Sequence, residues 1–198
     1  MKSQRIPWVT YTLIVVNVIV YIISAFTGDL LYNIGALESD LPSHWGDWYQ
    51  LLTSMFLHAD LMHVAGNMIL LYLAGDVVER ACGHAFFTVL YMVSGFGGSA
   101  LSIVHDLIKH VDCISVGASG AVFGIVGALL YLTIFSRGNY KGITTGRVVF
   151  MIIYMLSLGH ATPSINNAAH VGGVLTGFAV MIGYTNWKMY QERGIYEN

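Results

Sequence analysis

The chain has 198 residues, of which 56% are hydrophobic and 10% charged, and its formal net charge is −2 at pH 7. Soluble domains carry about a quarter charged residues, so this composition excludes a water-soluble globule and indicates a membrane protein. Because no basic patch accompanies the small negative charge, nucleic acid is not an expected partner.

Six apolar runs follow one another along the chain. A helix that crosses the hydrocarbon core needs about 20 predominantly apolar residues. The runs cover residues 8–26, 61–78, 85–104, 115–135, 148–162 and 168–184. The sequence therefore predicts an all-α membrane protein with six transmembrane helices, folded as a single domain over residues 1–198.

The basic residues predict how these helices are oriented. If the chain crosses six times, eight of the nine Lys and Arg residues lie on one side, and only Lys109 lies on the other. The eight are Lys2, Arg5, Arg80, Arg137, Lys141, Arg147, Lys188 and Arg193. Since cytoplasmic loops are enriched in Lys and Arg, we expect a multi-pass protein of the plasma membrane with both termini in the cytoplasm.

The outer connection over residues 27–60 is unusually long for a helix bundle. It is rich in aromatic and apolar residues, among them Trp45, Trp48, Tyr49 and Phe56. Such residues favour the headgroup interface of the lipid bilayer, so short helices at the outer leaflet are expected. A lipid anchor without a catalytic part is an equally open interpretation.

Four polar side chains fall near the outer ends of three predicted helices. They are His63 and Asn67 in the second run, Ser119 in the fourth and His170 in the sixth. Polar groups at membrane depth are costly, so each is a candidate site residue. Their shared depth in one leaflet is the main argument from the residues for a common site.

Ser119 and His170 are a candidate nucleophile and base. Small residues recur at helical spacing in both runs, at Gly120, Gly124 and Gly127 in the fourth and at Ala169, Gly173 and Gly177 in the sixth. Such faces let helix backbones approach closely, which would bring the serine within hydrogen-bond reach of the imidazole. A helix cap or a packing spacer remains an alternative role for Ser119.

No carboxylate completes a catalytic triad in this arrangement. Asp76 is the only acidic residue within a predicted span, and it lies about 20 Å from His63 along the helix. The hypothesis is therefore a Ser–His dyad whose imidazole is held by packing. Phe123, one turn after Ser119, is a candidate ring to stack on His170, and plain core packing is its alternative role.

His63 and Asn67 are four residues apart and share one helix face. Both side chains donate hydrogen bonds in their neutral forms, as an oxyanion hole requires. A bond from His63 to a loop carbonyl, or a bond between helices for Asn67, are the alternatives.

Three motifs resemble those of the rhomboid intramembrane serine proteases. They are Gly117-Ala118-Ser119-Gly120 followed by Phe123-Gly124, the pair His63 and Asn67, and Ala169-His170-Val171-Gly172-Gly173. The segment over residues 51–58 and the aromatic first loop also resemble the family. The motifs occur in the family's order on the matching helices, and the resemblance covers nearly the whole chain.

The resemblance implies that Ser119 is the nucleophile and His170 the general base, with Gly117 and Phe123 supporting them. It implies an oxyanion hole formed by His63, Asn67 and the Ser119 backbone N–H. The substrates would be transmembrane segments of other membrane proteins, cut near their outer ends on the extracytoplasmic side. They would enter between the second and fifth helices, beneath a cap at about residues 159–167. The resemblance implies no cofactor and no metal.

One departure from the family pattern concerns the first loop. Many rhomboids carry Trp-Arg just before the stretch matched by residues 51–58, whereas this chain has Tyr49-Gln50. The ordering role of that arginine is therefore in doubt here. Asn166 also stands where an acidic residue is common, and the sequence assigns it no role.

Two other functions are weighed against the protease. Seven of the eight histidines fall on or near the outer side, an arrangement that would also suit a metal-binding membrane protein: His44, His58, His63, His105, His110, His160 and His170. No His-Glu-x-x-His motif accompanies them. A non-catalytic rhomboid-like adaptor is the other alternative, although such relatives usually lack the serine or the histidine, and both are present here.

Overall fold

A computed structural model describes residues 6–28, 30–40, 46–162 and 165–196, with side chains as far as residue 192. Lys2, Arg5, His44, Trp45, the side chain of Arg193 and positions 163–164 of the expected cap lie outside the described residues. The helices are α1 (Trp8–Thr27), α2 (Leu30–Gly35), α3 (Gln50–Thr53), α4 (Leu61–Cys82), α5 (His84–Lys109), α6 (Ser119–Phe135), α7 (Thr145–Ala161) and α8 (Asn167–Tyr196). A 3-10 turn over Ser54–Phe56 follows α3.

Each of the six apolar runs forms one long helix, but several bounds differ from the prediction. α4, α5 and α8 continue to Cys82, Lys109 and Tyr196, well beyond the apolar residues that predicted them. α6 begins at Ser119 rather than at 115. Hydrophobicity marks the part of a helix that suits lipid, whereas helix ends are set by caps and tertiary contacts.

Four of these helices are long and apolar enough to cross a membrane: α1, α4, α5 and the portion of α8 over Asn167–Glu192. α6 and α7 are apolar but shorter, with 17 residues each. Most of α6 is buried, because it packs against α4, α5, α7 and α8. A helix enclosed by protein in this way does not have to match the full hydrocarbon thickness.

Two pairs of very short strands add to the helices, a detail that the all-α prediction omits. β1 (Leu37–Glu38) pairs antiparallel with β2 (Ile114–Ser115), with Leu37 opposite Ser115. β3 (Asn139–Tyr140) and β4 (Ile143–Thr144) form the hairpin between α6 and α7. The first pair ties the segment after α1 to the segment that leads into α6.

Backbone-to-backbone packing joins α6 to α8, as the small-residue spacing predicts. A Cβ added at Gly173 would collide with the carbonyl of Gly120, and one at Gly177 with the carbonyl of Gly124. α5 shares this contact, since the Cα of Gly120 lies 3.1 Å from where a Cβ of Gly98 would be. Glycine is required here because the helices approach more closely than a methyl group allows.

The end of the bundle opposite to Ser119 contains a buried carboxylate, Glu79, which lies just outside the predicted span over residues 61–78. Glu79 lies within α4, because the helix runs past residue 78, and it has no exposed surface. Its oxygens accept from the backbone N–H of Val9 (3.0 Å), from the N–H and hydroxyl of Thr10 (2.7 and 2.6 Å), and contact His84 Nδ1 (2.6 Å). The first N–H groups of a helix have no partner within it, so Glu79 acts as a remote cap for α1.

Neutral side chains order the long outer connection at Tyr49 and Gln50, the positions where many rhomboids carry Trp-Arg. The Gln50 side chain is buried, and its Oε1 accepts from the N–H of Glu38 (3.3 Å). The Tyr49 hydroxyl donates to the Ile34 carbonyl (3.0 Å). These two bonds connect α3 to the segment around β1, and the connection contains short helices as predicted.

Glu79→Ala is expected to destabilise the docking of α1. Each buried donor left without a partner costs about 1–3 kcal/mol, so the free energy of unfolding should fall measurably. Denaturant titration of the protein in detergent micelles measures this change. Asp76→Ala is the matched control, because the bonds of Asp76 within the described part of the chain go to Arg80 one turn along the same helix (2.9 Å). Equal stability of the two variants would contradict a capping role for Glu79.

Candidate active site

His63 and Asn67 lie in the first two turns of α4. The helix begins where the carboxylate of Asp60 accepts from the N–H of His63 (2.8 Å), a conventional N-terminal cap. His63 Nε2 lies 2.7 Å, and Asn67 Nδ2 3.8 Å, from where a Cβ of Gly117 would be. The structure therefore brings both side chains to the segment that precedes Ser119.

Gly117 is the residue whose backbone makes this approach possible. Its φ of +125° suits glycine, and any side chain would collide with the His63 ring. Its N–H donates to the carbonyl of Ser54 (2.9 Å), which ties the segment to the 3-10 turn. The reversal of the chain at Gly117 explains why α6 starts at Ser119 and not at 115.

Ser119 is the first residue of α6, so its backbone N–H has no partner within the helix. Asn67 is buried, and its Nδ2 has no hydrogen-bond partner among the described residues. A buried amide donor without an acceptor is costly, and such groups are typical of sites that bind a charged or polar ligand atom. The donors of the expected oxyanion hole are thus gathered within one small region.

His170 lies in the first turn of α8 and is buried. Its ring stacks on that of Phe123, with centroids 4.0 Å apart and planes 5° from parallel. No hydrogen bond joins His170 to Ser119 among the described residues, and His170 Nδ1 has no partner. Catalytic hydrogen bonds are often long in unliganded sites and tighten when substrate binds, so the stacked position remains compatible with a dyad.

A small cavity of about 30 Å³ adjoins Ser119. Its lining includes several side chains with hydroxyl or amide groups: Ser54, Ser99, Ser102, Ser115, Ser119 and Asn166. A space of this size holds a water molecule when it is polar. Ser119 therefore adjoins a small space that hydroxyl and amide groups line together with apolar residues such as Leu37 and Met55.

Asp76 takes no part in this region, because it binds Arg80 on its own helix. Among the residues that the structure describes, no three His, Cys, Asp or Glu side chains gather as a metal-ligating group. Another ionisable neighbour, besides the capping residue Asp60, is His58, whose ring meets that of His63 edge to face at 5.1 Å. Burial, with a smaller contribution from His63, lowers the pKa of His58 to about 4, so it is neutral at pH 7.

Sequence reasoning assigned no role to two polar residues near this region. His58 was noted only as part of the segment over residues 51–58 and as one of the outer-side histidines, whereas the structure buries it against His63. Asn166, which was left without a function, caps α8: its Oδ1 accepts from the N–H of Ala169 (3.0 Å). An asparagine just before the first residue of a predicted helix is a recognisable N-terminal capping signal, and the sequence contains it.

Fold and site together define an integral membrane protein in which a serine and a histidine lie on tightly packed neighbouring helices. A family profile described as the Rhomboid domain matches residues 45–187. The chain therefore belongs to the rhomboid family.

Several characterised or named relatives are similar to this chain. Rhomboid protease GluP of Bacillus subtilis is 33% identical over 87% of this chain and 34% of its own length. RHOMBOID-like protein 1 of Arabidopsis thaliana is 39% identical over 75% of this chain and 37% of its own. Putative rhomboid protease YdcA of Bacillus subtilis is 27% identical over 88% of this chain and 81% of its own. The chain thus spans between a third and a half of the first two relatives.

Gly117→Ala is expected to displace His63 and to slow the reaction of Ser119 with a fluorophosphonate probe. The added methyl group would meet Nε2 at 2.7 Å in a backbone conformation that favours glycine. The rate of covalent labelling in detergent measures the effect. Gly66→Ala on α4 is the matched control, because a Cβ there meets nothing within 4 Å. Labelling of the Gly117 variant at the rate of the control would show that this close contact is not needed.

Proposed function

We propose that this protein is an intramembrane serine protease that hydrolyses peptide bonds in or near transmembrane segments of other proteins. The observation that carries the proposal is the stacking of His170 on Phe123, one turn after Ser119. A buried imidazole stacked on the residue one turn after the serine supports His170 as the base. The relatives named as rhomboid proteases support the same function.

In the proposed reaction, the hydroxyl oxygen of Ser119 attacks the substrate carbonyl carbon while its proton passes to the imidazole of His170. The carbonyl oxygen becomes an oxyanion that accepts from His63, Asn67 and the N–H of Ser119. The C–N bond then breaks, and the imidazolium gives its proton to the leaving amine. Water, activated by the same imidazole, hydrolyses the acyl-enzyme and restores the serine.

We further propose that all six long helices cross the membrane, with both termini in the cytoplasm and the site near the extracytoplasmic side. Arg80 lies in the last turn of α4, and Arg137 and Lys141 lie between α6 and α7, all at the end of the bundle opposite to Ser119. Lys109 is at the other end. This distribution of basic residues is the one that fixes orientation in plasma membranes.

Substrate entry between α4 and α7 is part of the proposal. Of its 17 residues α7 fully buries only Val148 and Gly159, while Met151, Ile152 and Met155 pack partly buried against the core, so much of the helix surface is exposed. Its exposed apolar side chains, such as Phe150 and Ile153, suit contact with lipid or with an entering helix. A helix in lipid has all its backbone groups bonded, so a protease must free the scissile segment into a polar space before it is cut.

Ser119→Ala and His170→Ala are each expected to abolish cleavage of a transmembrane reporter by the purified protein in detergent. Either change removes one half of the nucleophile–base pair, so the remaining half has no function of its own. Asp76→Asn is the control and should cleave at the wild-type rate. Cleavage by the Ser119 variant, or loss of wild-type cleavage on addition of a chelator, would favour a metal-dependent mechanism. A folded wild-type protein that never cleaves would favour an adaptor.

His63→Ala and Asn67→Ala are expected to lower kcat by about 10²–10³-fold, because each removes one donor to the oxyanion. KM should change little, since these donors meet charge that develops only in the transition state. Initial rates over a range of reporter concentrations separate the two constants. A rise in KM at constant kcat would assign both residues to substrate binding instead.

A further inference from the structure

Asn166 connects three elements around the candidate site through one side chain. Its Nδ2 donates to the hydroxyls of Ser102 on α5 (2.5 Å) and Ser115 on β2 (2.9 Å). Its Oδ1 accepts from the N–H of Ala169 in the first turn of α8 (3.0 Å). A carboxamide has two N–H donors and one acceptor oxygen, and here all three functions are used.

We propose that Asn166 is a positioning residue for catalysis, which holds His170 at its working distance from Ser119. This inference rests on the proposed protease function. Asn166 does not touch the reacting atoms in the proposed mechanism; it acts through the start of α8 and through the segment that leads into α6.

The position of His170 depends on where α8 begins. Its backbone N–H donates to the carbonyl of Asn166 (3.3 Å), and its ring is held by stacking on Phe123. No side chain among the described residues bonds Nδ1. In a triad an acid orients the imidazole by a hydrogen bond. Here the first turn of α8 has to provide the orientation, and Asn166 fixes that turn.

The position of Ser119 depends on the other end of the same network. Ser115 precedes Ser119 by four residues, and between them lies the glycine reversal at Gly117. β2 is only two residues long and is paired on one side with β1. The bond from Asn166 therefore ties the segment before the nucleophile directly to the segment before the base, and Ser102 anchors both to α5. Asn166 and Ser119 also line the same cavity.

The chemistry of this network predicts which substitutions preserve it. Alanine loses all three side-chain bonds. Aspartate keeps an acceptor for the N–H of Ala169, and serine hydroxyls can rotate to donate to its other oxygen. Asn166→Asp should therefore restore most of the function that Asn166→Ala loses, although the residues differ in charge.

The test measures kcat and KM of the full chain in detergent with a transmembrane reporter, alongside the rate of fluorophosphonate labelling of Ser119. Asn166→Ala should lower kcat and the labelling rate together by about 10- to 100-fold, because small misplacements of reacting groups have effects of this size. KM should stay within about two-fold, since no substrate contact is lost. Asn166→Asp should recover kcat to within a few-fold of wild type.

Two further sets of variants make the result decisive. Asn139→Ala is the matched control, because it removes an asparagine bond to the N–H of Gly142 (2.9 Å) in the β3–β4 hairpin, and it should keep wild-type kcat. The double variant Ser102→Ala and Ser115→Ala keeps the cap on α8 but removes both ties, and it should reproduce the loss of kcat even if Asn166→Ala fails to fold.

Wild-type kcat in Asn166→Ala, or in the double serine variant, would overturn the proposal. The proposal would also be overturned if Asn166→Asp did not restore kcat and if the loss of kcat matched the fraction of unfolded protein. That outcome would assign Asn166 to stability alone. The variant Ser119→Ala distinguishes failure of the positioning role from failure of the proposed protease function. If that variant is inactive while Asn166→Ala matches wild type, only the positioning role fails; if it still cleaves, the protease mechanism fails first.

Discussion

The contact of helix backbones at Gly98, Gly120 and Gly173 is the constraint on which the rest of the structure depends. In lipid there is no hydrophobic force between helices, so association relies on close packing and on interhelical hydrogen bonds. Three backbones meeting without intervening side chains fix α6 between α5 and α8. The serine at the start of α6 and the histidine near the start of α8 are brought to one level by this contact.

Features that repeat along the sequence could be predicted, because each element carries its own signal. The six long helices follow from hydrophobic length, and the pairing of α6 with α8 follows from small residues at helical spacing. The shared face of His63 and Asn67 follows from their separation by four. The bonds of Glu79 to α1, of Gln50 to Glu38, and of Asn166 to Ser102 and Ser115 could not be obtained in this way. These partners lie between 12 and 70 residues away, and hydrogen bonds of that range leave no periodic pattern.

The start of α6 shows how a local prediction fails for a physical reason. Hydrophobicity favours a helix from residue 115, yet Ser115 is paired with Leu37 and bonded to Asn166. Gly117 then turns the chain at a positive φ against the ring of His63. These three long-range contacts outweigh the local preference for helix. As a result Ser119 stands at a helix start, where its N–H is available, instead of in the second turn.

The two ends of the bundle use polar groups in opposite ways. At one end the carboxylate of Glu79 is surrounded by donors from α1 and by His84, so its hydrogen-bonding capacity is filled and it serves stability. At the other end Asn67 and His170 are buried, and each keeps a side-chain nitrogen without a partner among the described residues. An unpaired buried donor costs free energy in the resting protein. Held in place by packing, it also needs no reorganisation when negative charge appears beside it, which is the physical requirement for stabilising an oxyanion in a site of low dielectric constant.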